Sequence, residues 1–344
     1  MKLGIIGLTG SGKKTLFEAF TGLSIQSTQK QEALVGTVKV PDERIDHLSK
    51  IYNPKKTIYA QVEYHLPIMG HGHNDGQKSE NVWANLRNCD ALIHVVRNFK
   101  MYGMDDPDIH ADFIKMNEDM ILADFMVVEK RIERINKERG RKNASTVELD
   151  LLNQCLELLE KNEPIRQRSD LANAPELRGY AFLTAKPMLV LLNNDDDDDC
   201  LPKLPDIFQK EMVLPIRGKL EQELSQMNEQ EAAEFLEEFE ISESAMSRII
   251  TASYDLMGLI SFFTVGDDEV RAWTIPKNSP ADDAAGAIHT DFKKGFIRAE
   301  VLAYTDFLDA NNNYADARKK GTVRLEGKTY TVKDADIIHF RFNV

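Results

Sequence analysis

Short apolar runs alternate with helical periodicities along the first part of the chain. Leu3 to Ile6 is apolar throughout and closes on Gly7, which suits a strand buried on both faces of a parallel sheet. Lys13 to Phe20 predicts a helix. Val35 to Val40 predicts a second strand, stopped by Pro41-Asp42, and Gln61 to Leu66 a third. Ala91 to Val96 (ALIHVV) and Pro187 to Leu192 (PMLVLL) are further buried strands, the latter ending at Asn193. Strands interleaved with helical segments imply an α/β sheet whose ligands bind at the carboxyl ends of the strands.

Between the strands at 91–96 and 187–192 the period changes. Phe125, Val128, Ile132 and Ile135 recur at helical spacing with charged residues between them. Gly140 and Asn143 break that pattern. A second helix is predicted beyond them with Val147, Leu151, Cys155 and Leu158 on one face, so the two form an antiparallel helical hairpin. Arg134, Lys137, Arg139, Arg141 and Lys142 gather at its tip, where a solvated helix end is favoured over an RNA contact because charge runs alone are unspecific. Beyond Leu259 the texture becomes strand-rich. Thr322–Glu326 and Thr329–Val332 around Gly327-Lys328 read as a hairpin. Ile338, Phe340, Phe342 and Val344 alternate with polar residues as a half-buried final strand.

A chain of 344 residues allows two or three domains, and 42% hydrophobic with 29% charged residues is ordinary for a folded protein. The net charge of −13 argues against a general nucleic-acid coat but not against local basic patches. Cys89, Cys155 and Cys200 form no CxxC pair, so reduced thiols are expected. The opening Met1–Gly7 has no signal-peptide layout, and no apolar run approaches the roughly 20 residues of a membrane helix. A soluble, cytoplasmic protein without a membrane partner is the expectation.

Chemistry enters at Gly7-Leu8-Thr9-Gly10-Ser11-Gly12-Lys13, a GxxxxGK phosphate-binding loop between a predicted strand and a predicted helix. Its glycines let backbone N–H groups turn toward phosphates, the helix start adds a favourable dipole, and Lys13 would bridge the β and γ phosphates. The next residue is normally Ser or Thr, whose hydroxyl holds Mg2+. Here it is Lys14, with Thr15 one place later. An ammonium group cannot ligate a cation but can neutralise phosphate charge in its place. The phosphate site is thus expected from Gly7, Gly10, Ser11, Gly12, Lys13, Lys14 and Thr15.

Three strings in the last third, FFTVGDDEVRAWTI (Phe262–Ile275), AAGAIHTDFKKGFIRAEV (Ala284–Val301) and RLEGKTYTVKDADIIHFRFNV (Arg324–Val344), carry a specific resemblance. The chain is similar over nearly its whole length to the YchF/Obg-like branch of the translation-factor-class P-loop NTPases. The resemblance implies a Ras-like P-loop nucleotide domain over 1–110 and 180–258. It implies an inserted α-helical hairpin over 111–179 and a C-terminal TGS domain of β-grasp, ubiquitin-like fold over 259–344. It further implies a purine nucleotide, ATP or GTP, and association with the ribosome or RNA through the hairpin and the TGS-like domain.

Carried over residue by residue, the resemblance also shows departures. The switch I segment, roughly Ile25 to Ala33, lacks the family sequence, although Val35-Gly36 and Val38–Asp42 match. The DxxG motif falls at Pro67–Gly70, keeping Gly70 as the switch II residue but placing Pro67 where an Asp would support Mg2+. His71, His73 and Asp75 follow, too few for a defined metal site. The base-reading motif aligns with Asn193-Asn194-Asp195-Asp196, and the last motif with Arg217-Gly218-Lys219, giving Asn193, Asp196 and Lys219 as candidate base-binding residues. His289-Thr290-Asp291 reads as part of the C-terminal fold, since no nucleophile accompanies it. Three readings follow: an active ATPase or GTPase working as a translation-linked switch, as the resemblance implies; a nucleotide binder whose hydrolysis is weak or absent and whose Mg2+ is not held in the usual way, as Lys14 and Pro67 suggest; or a non-enzymatic RNA- or ribosome-binding adaptor with a degenerate nucleotide site.

Overall fold

The computed structural model describes residues 1–25, 33–67, 82–138, 146–238 and 244–343. They divide into two compact units, Met1–Val38 with Glu63–Ile249, and Lys39–Val62 with Ile250–Val344.

The chain begins with β1 (Lys2–Ile6), α1 (Lys13–Thr21) and β2 (Ala33–Lys39). It contributes α2 (Glu43–Tyr52) and β3 (Lys56–Ile58) to the second unit and then forms β4 (Gln61–Pro67). A helix at 82–87 (α3) precedes β5 (Ala91–Asn98), α4 (Ile109–Glu138), α5 (Thr146–Glu160) and the short α6 (Ser169–Ala172). β6 (Met188–Asn194), β7 (Met212–Ile216), α7 (Gly218–Gln226), α8 (Glu229–Glu238) and α9 (Ala245–Leu256) follow. The expected apolar runs all lie in strands. The first sheet has the order β2-β4-β1-β5-β6-β7, and β1 runs parallel to both β4 and β5, as β6 does to β5 and β7.

β5 is buried from Ala91 to Arg97 and β6 along its whole length, which is why neither shows a polar alternation: both faces of the sheet are covered. On one face Val82 and Leu86 of α3 and Phe113, Met116 and Met120 of α4 pack on Ile6, Leu92, Val96, Val190 and Leu192. Phe20 of α1 stacks on Tyr64 of β4 with ring centroids 4.5 Å apart.

The helical hairpin is α4 and α5, which share a core of Ile121, Val128, Ile135, Leu149, Leu152, Cys155 and Leu159. The α4 stripe matches the periodicity. The α5 face differs: Leu149, Leu152, Cys155 and Leu159 are buried, whereas Val147 is exposed. Leucines line most of α5, so periodicity alone leaves two candidate faces, and the bulkier set takes the contact with α4. The fully buried Asp124 ties α4 to the following chain. It accepts from Leu183 N, Thr184 N and Thr184 Oγ1 and pairs with Arg87 at 2.8 Å. Arg139, Arg141 and Lys142 of the tip lie outside the described residues.

The second unit carries β8 (Leu259–Thr264), β9 (Glu269–Pro276), α10 (Ala281–Ile288), α11 (Thr290–Lys294) and β10 (Phe296–Ala303). It is completed by α12 (Tyr304–Asp309), α13 (Tyr314–Lys320), β11 (Arg324–Glu326) and β12 (Asp336–Phe342). Its sheet has the order β11-β10-β12-β8-β9-β3, with α10 packed on Ile260, Phe262, Val301 and Ile338. The alternation of the last strand is reproduced, with Ile338 and Phe340 buried and His339 and Arg341 exposed. The expected hairpin around Gly327-Lys328 is not formed. β11 pairs antiparallel with β10, and Thr331 makes only an isolated bridge to Pro280. A local turn signal there lost to the longer-range edge of β10. His289 caps α11, its Nδ1 accepting from Asp291 N at 3.2 Å, which is a structural role.

Most buried polar side chains of the first unit are hydrogen-bonded, but one core histidine is not. His94 of β5 is fully buried and stacks on Phe113 at 5.5 Å, and neither ring nitrogen has a hydrogen-bond partner among the described residues. Burial, reinforced by the charges of Arg166 and Lys13, holds its pKa down at about 3. The native state therefore refuses a proton that the unfolded chain takes up below about pH 6.5. Stability accordingly falls between pH 6.5 and about 3. His94→Phe is expected to flatten this acid limb, measured as the change in urea midpoint between neutral pH and pH 4.5. An unchanged midpoint difference would contradict the assignment.

Candidate phosphate- and base-binding site

The parallel sheet brings four loops to one edge. β1, β5, β6 and β7 all end there, and the register pairs Ile6 with His94, Asn98 with Asn194 and Asn193 with Ile216. The loops that leave these ends contain residues 7–12, 99–108, 195–211 and 217. The strand order diverges around β1, which is where α/β sheets open a ligand crevice.

Gly7 to Gly12 curl tightly from β1 into α1. A Cβ on Gly7 would stand 2.4 Å from the Val95 carbonyl oxygen. Gly12, the N-cap of α1, has φ +91°, and a Cβ there would stand 2.2 Å from Asn193 Nδ2. Both positions are closed to any other residue, because the backbone must run against its neighbours to turn inward. Gly10 opposes Met104, whose sulfur lies 2.8 Å from where a Cβ would be. The N-cap Gly12 has no side chain to cap α1, so among the described residues its first N–H groups are available to a ligand. Ser11 is buried, and its Oγ has no hydrogen-bond partner among the described residues.

Lys13 bends back over this loop, its Nζ donating to Gly7 O at 2.5 Å and Leu8 O at 2.6 Å. Burial, with a smaller contribution from the positive charge of Lys14, lowers its pKa to about 8. Lys14 is exposed and Thr15 half-buried at the start of the same helix. Pro67 ends β4 and lines a cavity of about 10 Å³ with Lys13, Ile6, Val82, Trp83 and Met116, so its walls are mostly apolar and Lys13 supplies the charged one.

Asn193 joins the loops. Its Nδ2 donates to Ser11 O at 3.0 Å and its Oδ1 accepts from Gly218 N at 2.9 Å, both buried. One amide thus fastens the glycine loop of β1 to the start of α7. Lys219, next to Gly218, reaches Asp196 at 3.6 Å. Asn193, Asp196 and Lys219 therefore lie together at the edge that also carries Gly7 to Thr15. Gly70 and the His71, His73 and Asp75 group fall outside the described residues, as does most of the Ile25–Ala33 segment. Among the described residues no group of three or more His, Cys, Asp or Glu side chains is arranged to hold a metal ion.

The sequence did not single out Arg97 or Asn98, and it placed Asn194 in the base-reading motif without a role. Arg97 is buried and donates to Phe99 O and, at 2.8 Å, to Asp105 O, shaping the loop that carries Met104. Asn98 and Asn194 bond to one another. Only the parallel register makes these residues neighbours, and nothing in the linear spacing marks it.

A glycine loop between the first strand and first helix of a parallel sheet, with a lysine at the helix start and an asparagine clasp from a later strand, defines a P-loop nucleotide-binding-type α/β domain. Comparison with known proteins narrows the class. Residues 259–343 match the family profile YchF-GTPase_C, described as a protein of unknown function (DUF933). The ribosome-binding ATPase YchF of Bacillus subtilis (strain 168) is 38% identical, the alignment covering 99% of each chain. That of Pasteurella multocida (strain Pm70) is 37% identical, over 100% of this chain and 99% of the relative. The solved Schizosaccharomyces pombe YchF GTPase superposes with a TM-score of 0.83 at 28% identity, covering 99% of this chain and 97% of the other. The chain belongs to the YchF family. No helix among the described residues is long and apolar enough to cross a membrane.

Asn193→Ala removes two buried hydrogen bonds and leaves Ser11 O and Gly218 N without partners. The expected destabilisation is about 2–4 kcal/mol, read by urea denaturation. A loss within 0.5 kcal/mol, the ordinary effect of a surface substitution, would contradict the clasp.

Proposed function

We propose that the chain binds a purine nucleotide, ATP or GTP, in the site built on Gly7–Thr15, Asn193, Asp196 and Lys219, and works in association with the ribosome. The observation that carries the first part is the backbone cradle itself. Gly7 and Gly12 leave no space for a Cβ, α1 presents uncapped N–H groups, and the buried Ser11 hydroxyl and the Lys13 ammonium point to an anion as the missing partner. Lys13 satisfies itself on Gly7 O and Leu8 O, and a phosphate would take over those bonds with a stronger charge-assisted pair. The relatives, named ribosome-binding ATPases in two bacteria and a GTPase in Schizosaccharomyces pombe, support the class of ligand.

The residues present do not fit a divalent cation held in the usual way. Lys14 offers an ammonium where a hydroxyl oxygen would ligate, and the end of β4 offers Pro67 and a mostly apolar cavity where a carboxylate would stand. Hard cations require oxygen donors, and the described part of the site provides few. In this reading Lys14 neutralises phosphate charge directly and hydrolysis is weak or absent, since phosphoryl transfer relies on a metal to stabilise developing charge. The modules are read as a nucleotide domain over 1–110 and 180–258, a hairpin over 111–179 and a TGS-like domain over 259–344.

Titration with ATP, GTP and their diphosphates, with Mg2+ and with chelator, tests this site. Binding is expected in both conditions with affinities within about threefold, and Lys14→Ser should restore a metal dependence of about tenfold or more. Affinity should hold up to about pH 8 and fall above it as Lys13 loses its proton, because the bound phosphate favours the charged form. Efficient Mg2+-dependent turnover by the wild type, abolished in Lys13→Ala, would overturn the weak-hydrolysis reading.

Ribosome association is assigned to the hairpin and the TGS-like unit. In the latter most of the basic residues already have acidic or carbonyl partners. Lys293 pairs with Asp283, Lys294 with Asp291 at 3.9 Å, and Lys319 with Asp316 at 3.1 Å, while Lys320 donates to Asp309 O at 2.6 Å. These pairs are exposed and weak, so phosphate can displace the carboxylates. Co-sedimentation with ribosomes should therefore decline steeply as salt rises from about 0.05 to about 0.3 M. Salt-independent association, or none, would remove RNA phosphate contacts from the reading.

A further inference from the structure

The loop that carries Asp196 is held by a pair of asparagines that nothing in the P-loop pattern requires. Asn98 ends β5 and Asn194 ends β6, and the two are register partners across the parallel ladder. Asn98 Nδ2 donates to Asn194 Oδ1 at 2.9 Å, and Asn194 Nδ2 donates to Cys200 O at 2.8 Å. The Asn194 amide is buried, and both of its ends are engaged. Because consecutive strand residues face opposite ways, Asn193 turns to the glycine loop while Asn194 turns to the acidic loop.

The loop itself needs such a tie. Asp195 to Asp199 are five consecutive carboxylates, and all are exposed. Mutual repulsion favours an extended, variable segment. The bond from Asn194 to Cys200 closes it into a compact turn, assisted by Asp198 N donating to Asp195 O at 3.1 Å and Cys200 N donating to Asp198 Oδ1 at 3.0 Å. Within this closed turn Asp196 is the carboxylate that meets Lys219. A carboxylate distinguishes purines only when it is fixed. Guanine presents two adjacent donors on its Watson–Crick edge, whereas adenine presents a donor beside an acceptor, and a wandering carboxylate averages over both.

We propose that Asn98 and Asn194 are positioning residues for base selection: by closing the Asp195–Cys200 turn they fix Asp196 against Lys219, and through it set the discrimination between adenine and guanine nucleotides. This inference rests on the nucleotide-binding reading above. It separates base selection from phosphate binding, because the Asn194 amide makes no bond to the glycine loop, whereas Asn193 does.

Calorimetric titration of the full chain with ADP, GDP and inorganic tripolyphosphate provides the test. The wild type should discriminate between the two diphosphates. Asn194→Leu removes both bonds, and Asn98→Asp removes the donor at nearly constant size. In each, the ratio of ADP to GDP affinity should move toward one by about tenfold, with tripolyphosphate affinity within about twofold of wild type. Asn98→Ser keeps a donor and should recover part of the ratio, which a general loss of structure would not allow. Retention of the wild-type ratio in both variants overturns the proposal. So does an equal loss of tripolyphosphate binding, or a wild type that binds both diphosphates alike. A wild type that binds none of the three probes fails at the earlier step and defeats the nucleotide reading itself.

Discussion

The amide of Asn193 is the contact on which the site depends. Two buried hydrogen bonds, to Ser11 O and from Gly218 N, connect a loop at the start of the chain to a helix that begins about two hundred residues later. A peptide-like group in a dry interior must find partners or forfeit a large part of its desolvation free energy, so this arrangement is strongly preferred over any in which the loops part. It also explains why Gly12 and Gly218 are glycines. Each lies so close to Asn193 that a Cβ would collide with its amide. The clasp, the curled loop and the α1–α7 approach are one geometric solution.

Around that clasp the domain manages charge by burial. The chain is strongly acidic overall, yet α1 opens with Lys13 and Lys14 side by side, and Lys13 bonds to carbonyl oxygens rather than to carboxylates. Lys13 can therefore leave those oxygens for a stronger anion without breaking an ion pair. His94, one strand away, is kept neutral by the same low-dielectric surroundings that depress Lys13. At the rim, by contrast, Asp196 and Lys219 remain partly exposed, where attraction is screened and exchange with a ligand costs little. The interior fixes the glycine loop through Asn193, while Asp196 at the rim is held by the closed Asp195–Cys200 turn and not by burial.

Much of this was legible in the sequence. The buried strands β1, β5 and β6 announced themselves as apolar runs, because a strand covered on both faces has no polar alternation to hide it. GxxxxGK between a strand and a helix specified the cradle, since only glycine tolerates the backbone approach required. The final strand declared itself through its alternation. Turn chemistry alone misled at Gly327-Lys328: the local hairpin was outcompeted by the free edge of β10, a partner distant along the chain. On α5 the leucines were too evenly spread for periodicity to select the buried face, and contact with α4 selected it.

The GxxxxGK pattern and the departures at Lys14 and Pro67 are visible in the linear chain, because they depend on residue type and local backbone. Which residues become their neighbours depends on the folded sheet. Asn98 and Asn194 are separated by nearly a hundred residues and become a hydrogen-bonded pair only because β5 and β6 are parallel and in that register. Arg97 shapes the Met104 loop, and Pro67 lines a mostly apolar cavity, for the same reason. Strand register and layer packing are properties of the whole sheet, and the physics that sets them, burial of both faces at once, has no address in any single segment of sequence.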